Sequence, residues 1–147
     1  MTIDVRIRRL GRHVDLPHYQ TDGAAGFDLA ASAEMVIEPR SIALVPTGLV
    51  VEVPVGYFLG IFARSSTPLK RGLMVANGVG VIDSDYCGET DEIKIQVLNF
   101  TDNPVTVRAG DRIAQGLLIP VTRAEWSEAG SALRDGARGG FGATGER

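Results

Sequence analysis

Apolar residues at alternate positions are the feature that most limits what this 147-residue chain can fold into. In the segment Ile93–Val97 apolar residues alternate with Lys94 and Gln96, and residues 3–7 and 105–107 repeat the pattern. Successive side chains of a β-strand point to opposite faces of a sheet, so this alternation predicts strands with one buried face. In the sequence, no segment of twelve or more residues carries the 3.6-residue period of an amphipathic helix.

Longer apolar runs extend this pattern. The runs Ile42–Val45, Leu49–Val53 and Ile113–Val121 predict more deeply buried strands, and turns rich in Pro, Gly, Asp and Asn separate them at intervals of roughly ten residues. A helical turn is expected only at Arg64–Leu69, with a serine near its start as the cap. We therefore predict an all-β fold of sandwich or jelly-roll type, with at most one or two short helices.

Composition excludes several classes of protein. Hydrophobic residues make up 44% of a chain long enough to bury a core, so extensive disorder is not expected. Cys87 is the single cysteine, which excludes an internal disulfide and favours a reduced, cytoplasmic setting. The net charge of -3 argues against non-specific binding to nucleic acid, and no apolar run approaches the length of a membrane span. Neither nucleic acid nor membrane is an expected partner.

The C-terminal segment differs from the rest of the chain. Residues 130–147, GSALRDGARGGFGATGER, contain six glycines and few residues that would form a core. The sequence therefore divides into a β-rich domain, residues 1–129, and a flexible glycine-rich arm, residues 130–147. Composition alone favours a passive terminus, but Phe141 between glycines and beside Arg138 suggests an arm that closes over a ligand.

Two polar segments carry residues suited to chemistry on a phosphorylated ligand. Three carboxylates lie within seven residues in Gly80–Glu89, and a strand ending at Asp83 would present that carboxylate to a cleft as a general base. An acidic turn fits the same spacing. Arg64 and the two serines after it offer a guanidinium group and hydroxyls to phosphate oxygens. Asp28 fits either a buried hydrogen-bonding residue or one near a metal, and Gln115 lies where a turn enters a strand.

Five ordered segments resemble the five motifs of the trimeric dUTP diphosphatase (dUTPase) family. They are AAGFDLAA, ARSS, NGVGVIDSDYCGE, GDRIAQ and RGGFGATG, between about residues 21 and 145. The resemblance implies a jelly-roll-like distorted β-barrel that forms a homotrimer, with active sites between subunits and an arm over each one. It also implies hydrolysis of dUTP to dUMP and pyrophosphate with Mg²⁺, which limits uracil incorporation into DNA and supplies dUMP for thymidylate synthesis.

The same resemblance assigns roles at the reacting end of the nucleoside. Asp83 matches the carboxylate that activates water, and Tyr86 matches the aromatic residue that lies against the deoxyribose and leaves no room for a 2′-hydroxyl. Asn77 matches the residue that hydrogen-bonds uracil, and the backbone from Gly78 to Val81 shares that recognition.

Further roles concern the phosphates. The residues matching phosphate contacts on the domain are Arg64, Ser65, Ser66 and Gln115. In the arm, Phe141 would stack on uracil, and the residues placed on or near the terminal phosphates are Arg138, Gly142 and Thr144. Asp28 matches a carboxylate that orients water around magnesium, which the triphosphate itself chiefly holds.

The chain departs from the family pattern at three places. The arm is one residue shorter than the commoner arrangement, so Arg134 competes with Arg138 as the arm arginine, and Ala143 replaces a frequent serine. Cys87 stands where arginine is frequent, and Thr90-Asp91 looks like an insertion before the next strand. These departures affect expected binding contacts rather than the proposed base.

Two other functions fit parts of the sequence. The dCTP deaminase family shares the fold and the Arg-Ser-Ser motif, but Gln96 occupies the position of its catalytic glutamate and Leu69 that of an additional arginine. An amide is a poor proton shuttle, so diphosphatase is favoured over a deaminase or bifunctional enzyme. A non-catalytic dUTP-binding regulatory protein would be expected to lose Asp83 or Phe141, and this chain has both.

Overall fold

The computed structural model describes residues 1–145, which contain eleven short strands and one helical turn. The strands are β1 Arg6–Arg9, β2 Phe27–Ala30, β3 Met35–Ile37, β4 Ile42–Pro46, β5 Leu49–Glu52, β6 Tyr57–Ala63, β7 Leu73–Val75, β8 Gly80–Ile82, β9 Lys94–Asn99, β10 Val105–Val107 and β11 Arg112–Pro120. The helical turn spans Thr67–Arg71. The predicted all-β class is confirmed. Over residues 1–145, no helix is long and apolar enough to cross a membrane.

The strands pair antiparallel in four sheets. The largest has the order β2-β11-β6-β8, a second has the order β4-β9-β7, and the pairs β1-β5 and β10-β3 complete the set. Across the described part of the chain these ladders do not join into one closed ring. The fold is therefore a jelly-roll-like arrangement of sheets around a shared core, and not a barrel with continuous hydrogen bonding.

Alternation places the core where the sequence pattern predicts it. In β9, Ile95, Val97 and Asn99 are fully buried, whereas Lys94 and Gln96 lie on the other face. Asn99 is polar, but its amide donates to the carbonyls of Ile37 and Asn103, at 3.0 and 2.8 Å, and its oxygen accepts from Thr101. Every polar atom of the Asn99 side chain is therefore paired, as burial requires. These hydrogen bonds join the end of β9 to the loop that leads into β10.

Two local expectations need correction. The N-terminal strand begins at Arg6, and Ile3 is exposed, so the strand does not cover the whole alternating segment 3–7. The helical turn begins at Thr67, three residues later than predicted, and Ser66 occupies the N-cap position without a side-chain cap hydrogen bond. Pro68 explains this in part, because it lies in the first two helical positions and has no N–H for a cap to bind.

The C-terminal segment extends away from the sheets. Every residue from Val121 to Gly145 is exposed, and this stretch contains no strand or helix. The predicted arm, residues 130–147, begins inside it, and its last two residues lie outside the described part of the chain. Residues 130–145 of the single chain therefore do not pack on the core.

Candidate active site

The central sheet brings the predicted phosphate-binding residues together. Asp28 on β2 lies opposite Gln115 on β11, and Gln115 lies opposite Phe62 on β6. The Gln115 amide donates to the carbonyl of Ala63 at 3.0 Å, which fixes the last residue of β6. Arg64 follows directly, so three adjacent strands place Asp28, Gln115 and Arg64 at one edge of the sheet.

Asp28 is the electrostatic centre of this edge. Its carboxylate is only 14% exposed and pairs with two arginines, Arg64 Nε at 2.9 Å and Arg112 Nη1 at 3.1 Å. Arg64 also donates to the backbone carbonyl of Arg112 at 3.2 Å. A carboxylate held between two guanidinium groups orients both of them, and leaves the edge with a net positive charge suited to an anion.

The helical turn after Arg64 is anchored from both ends. At its start, the buried Thr67 hydroxyl donates to the carbonyl of Ile113 on β11 at 2.9 Å. At its end, Arg71 Nη1 lies 3.0 Å from Asp111 Oδ2, in the loop that leads into β11. Ser65 is exposed and Ser66 half-buried just before the turn. These two contacts hold the serines in a fixed position beside β11.

The backbone N–H of Arg108 donates to Asp111 at 2.9 Å and, with the Arg71 guanidinium, holds the pKa of Asp111 below its ordinary value, although burial opposes this.

The sequence alone did not assign site roles to Arg71, Asp111 or Arg112. The GDRIAQ motif contains Asp111 and Arg112, and Arg71 lies five residues after the ARSS motif, but their partners lie 40 or more residues away in sequence. Only the sheet pairing reveals them.

The predicted base-recognition hairpin joins two different sheets. β7 pairs with β9 and β8 with β6, so the turn at Asn77 and Gly78 bridges them. Gly78 has φ of +72°, and its N–H donates to the carbonyl of Val75 at 3.1 Å. A positive φ favours glycine, so the turn depends on this residue. Asn77, Gly78 and the Val81 side chain are exposed to solvent.

Asp83 and Tyr86 share the turn after β8. Asp83 is exposed, and within residues 1–145 its carboxylate accepts no hydrogen bond from the protein. Its carbonyl accepts from the N–H of Tyr86 at 3.2 Å, and the Tyr86 hydroxyl donates to the carbonyl of Glu92 at 2.9 Å. The turn thus presents a carboxylate with free oxygens next to a ring that is fixed at both ends.

The two clusters lie at opposite ends of β6. Ile82 pairs with Leu59 and Gly80 with Ile61, so Asp83 leaves the sheet beside the start of β6, whereas Arg64 leaves at its end. At a rise of about 3.3 Å per residue, the two backbone positions are on the order of 20 Å apart along the strand. Asp83 and Arg64 of one chain are therefore too far apart to act on the same phosphate group.

The predicted arm residues lie apart from both clusters. Phe141 is fully exposed with φ of +50°, and the turn around it is closed by the Ala143 N–H donating to the Gly140 carbonyl at 3.1 Å. Arg138 bonds only locally, to the carbonyl of Gly139, among the contacts of the described chain. Gly142, Thr144 and Arg134 are exposed too.

Two further observations bear on alternative chemistry. Gln96 is half-buried in β9 and its carbonyl accepts from Ala76, and Leu69 is exposed on the helical turn, so neither supplies the charged groups expected of a deaminase. Within residues 1–145 there is no group of three or more His, Cys, Asp or Glu side chains that could hold a metal ion by itself.

Comparisons with known proteins point to one family. The dUTPase family model matches residues 12–145. A deoxyuridine 5'-triphosphate nucleotidohydrolase from Anaeromyxobacter sp. strain Fw109-5 is 42% identical over 151 residues, covering 99% of each chain. One from Desulfitobacterium hafniense is 50% identical over 136 residues, covering 88% of this chain and 87% of the relative. The crystal structure of dUTPase from Streptococcus mutans has a TM-score of 0.76 and 36% identity, covering 83% of this chain and 98% of that one.

Replacing Asp111 by Asn tests the anchor of the helical turn. Because the folded-state pKa of Asp111 lies below its ordinary value of 3.8, its charge stabilises the fold above that pH, and the contribution is lost as the pH falls through the folded pKa. We expect the D111N variant to have a lower Tm than wild type at neutral pH, and the difference to shrink below about pH 4.

The measurement is thermal unfolding of both proteins across this pH range. D102N is the matched control, since Asp102 pairs with Arg40 but its side chain is 84% exposed. An equal loss of Tm in D102N and D111N, or a difference that does not depend on pH, would contradict the anchoring role of Asp111.

Proposed function

Since the chain belongs to the dUTPase family and hydrolyses dUTP to dUMP and pyrophosphate, we propose that Asp83 is the general base of this reaction. The observation that carries the proposal is the exposed carboxylate of Asp83 at the end of β8, which accepts no hydrogen bond from residues 1–145. A general base needs a hydrogen bond to the attacking water, and both oxygens of Asp83 are available for it. Water would attack the α-phosphorus, and pyrophosphate would leave.

Recognition of the nucleoside is proposed for the segment on either side of β8. The Asn77 side chain and the backbone from Gly78 to Val81 would bind the edge of uracil, and the solvent exposure of residues 77–79 in this tight turn supports that role. Tyr86 would lie against the deoxyribose. With three residues in β8, the hairpin and Asp83 are separated by about 10 Å, so a nucleoside along the strand reaches both.

Stabilisation of the triphosphate is proposed for the edge that contains Arg64. Its guanidinium, the hydroxyls of Ser65 and Ser66 and the amide of Gln115 would contact phosphate oxygens, and the orientation of Arg64 by Asp28 supports this. Donors fixed before the reaction stabilise developing negative charge without a reorganisation cost.

Magnesium fits this edge as a metal held mainly by the triphosphate. Asp28 is a hard oxygen donor of the type that Mg²⁺ prefers, and it is the proposed contact through water. Bound there, the ion would offset charge on the phosphates. Both Asp28 oxygens pair with arginines, so the carboxylate would serve the metal through water while still orienting Arg64.

Closure of the arm is proposed to complete the site. Phe141 would stack on uracil, and Arg138, Gly142 and Thr144 would bind the terminal phosphates, which excludes bulk water. The exposure of every residue from Val121 to Gly145 supports this, because residues 130–145 make no hydrogen bond to the rest of the described chain. Arg138 is preferred over Arg134 since it lies nearer Phe141 in sequence.

Each site is proposed to form between subunits of a homotrimer. The separation of Asp83 and Arg64 along β6 supports this, because a second copy must supply the missing half. The sheet β4-β9-β7 also presents an exposed apolar face, where Leu98 lies between Ile42 and Met74 and next to Leu44. Exposed apolar faces of this kind mark association surfaces. The single cysteine supports a cytoplasmic location.

Replacing Asp83 by Asn tests the general base. Asparagine keeps the shape of the side chain but accepts protons poorly, so we expect kcat to fall by about a hundredfold or more. Pyrophosphate release from dUTP is the assay, and binding of dUTP checks that the site is intact. D85N is the matched control, as an exposed carboxylate in the same turn, and a similar loss in both variants would argue against Asp83.

Isotope labelling tests the position of attack. Hydrolysis in ¹⁸O-labelled water is expected to place the label in dUMP, because attack at the α-phosphorus joins the water oxygen to the nucleotide. Mass spectrometry of dUMP and pyrophosphate from a single-turnover reaction reads this directly. Label found in pyrophosphate would move the attack to the β-phosphorus and would remove Asp83 from its proposed position.

Subunit mixing tests whether sites form between chains. D83N and R64A are each expected to be inactive, but mixed trimers contain one site with an intact Asp83 and an intact Arg64. Random reassembly of equal amounts would therefore restore about a quarter of wild-type activity. The proteins are mixed after reversible dissociation, and each variant mixed with itself is the control. No recovery in trimers shown by mass to be mixed would place the whole site within one chain.

A further inference from the structure

We propose that the loop Cys87–Glu92 is a specificity element in which Asp91 positions the Tyr86 ring and thereby sets the preference for deoxyribose over ribose. This inference rests on the proposed contact between Tyr86 and the sugar. It concerns a part of the chain where the sequence departs from its family, since Thr90-Asp91 forms the apparent insertion.

The Tyr86 ring is held only in part by burial. The residue is 38% exposed, so its hydrogen bonds contribute to fixing its position. Its two hydrogen bonds are at its extremes: the backbone N–H donates to Asp83 at 3.2 Å and the hydroxyl donates to the Glu92 carbonyl at 2.9 Å. The direction of the ring is therefore determined by the position of the Tyr86 backbone at one end and of the Glu92 carbonyl at the other.

Glu92 is held in place by its own side chain and by the buried residue that follows it. Its carboxylate accepts from the N–H of Gly48 at 2.8 Å. The next residue, Ile93, is fully buried, and its N–H donates to the carbonyl of Leu49 at 2.8 Å. The Glu92 carbonyl is therefore held in a fixed position beside β5. The loop from Cys87 to Asp91 connects it to Tyr86.

Asp91 closes that loop. Its carboxylate Oδ2 accepts from the N–H of Gly88 at 2.8 Å, and its own N–H donates to the carbonyl of Gly88 at 3.2 Å. A Cβ atom built on Gly88 would approach Asp91 Oδ2 to 2.9 Å, so the two residues are in close contact. Arg8 adds one bond to the carbonyl of Glu89 at 3.2 Å. The reciprocal bonds make the loop a fixed spacer.

A fixed spacer matters because the discrimination concerns one small group. Rejecting a 2′-hydroxyl requires that the ring cannot retreat by the width of one oxygen atom. Loss of the Asp91 bond would let Gly88, Cys87 and the backbone of Tyr86 move, so the ring would pivot about its bond to the Glu92 carbonyl. The variant would then admit ribose more readily, while the chemistry at Asp83 continued.

The test compares kcat/KM for dUTP and UTP, followed by pyrophosphate release, in wild type and three variants. D91A removes the acceptor and is expected to lower the ratio of dUTP to UTP by between about twofold and tenfold, mainly through faster turnover of UTP. D91N keeps an acceptor oxygen and is expected to retain the wild-type ratio. G88A disturbs the same bond from the donor side and is expected to shift the ratio in the direction of D91A.

Two controls separate this inference from the function on which it rests. Y86A should lower the ratio more than D91A, and D102A, an exposed loop aspartate, should leave it unchanged. If Y86A lowers the ratio but D91A and G88A do not, the positioning role of Asp91 is wrong and the sugar contact stands. If Y86A leaves the ratio unchanged, the sugar contact itself is wrong. Equal loss in D91N and D91A would also overturn the role of the hydrogen bond.

Discussion

The pairing of β6 along both of its edges is the constraint on which the rest of the site depends. β11 pairs with all seven residues of β6, and β8 pairs with three of them from the opposite side. Gly60 lies at the centre of this arrangement, where an added Cβ would approach the ring of Phe62 to 2.5 Å. Because β8 runs antiparallel to β6, the proposed base Asp83 and the proposed phosphate-binding residue Arg64 lie at opposite ends of one strand. The division of the site between two ends is thus a property of the sheet register and not of the loops.

Charge pairing at the phosphate edge is a second consequence of this register. Asp28 is nearly buried and would be costly to keep ionised alone, but Arg64 and Arg112 compensate its charge at 2.9 and 3.1 Å. The two ion pairs compensate the charge of the carboxylate, and they also orient the guanidinium groups of Arg64 and Arg112 toward the place where phosphates are proposed to bind. The Arg71–Asp111 pair and the Thr67–Ile113 bond fix the backbone of the helical turn, and thereby the position of the two serines before it. A single β-sheet edge is therefore fixed by contacts from four different segments.

The sequence predicts those parts of this structure that depend on neighbouring residues in the chain. β4, β5, β9, β10 and β11 follow from alternation or from apolar runs, and the strand leading to Asp83 from its apolar approach. Neither pattern predicts β6, because its central residues are buried on both faces and therefore do not alternate between apolar and polar. The cap predicted for a serine was wrong: Ser66 makes no side-chain cap bond, and Pro68 removes one of the N–H groups that such a cap can use. The Asp28–Arg112 pair joins residues 84 positions apart, and no local pattern contains it. The motifs locate candidate residues, whereas only the fold shows which of them meet.

The exposure of Asp83 connects this geometry to the control of water. As the proposed general base, Asp83 would act on one water molecule, yet in the single chain its carboxylate faces bulk solvent, which weakens every electrostatic interaction around it. A neighbouring subunit and the arm are the two elements that would cover it, and neither is held in place by the chain that carries the base. Since residues 122–145 are exposed and make no hydrogen bond to the rest of the described chain, ordering the arm would be driven mainly by contacts with nucleotide and neighbour. Binding energy from uracil and the terminal phosphates would then be used to exclude water from the α-phosphorus. Hydrolysis would thus be confined to a site that the correct substrate has helped to complete.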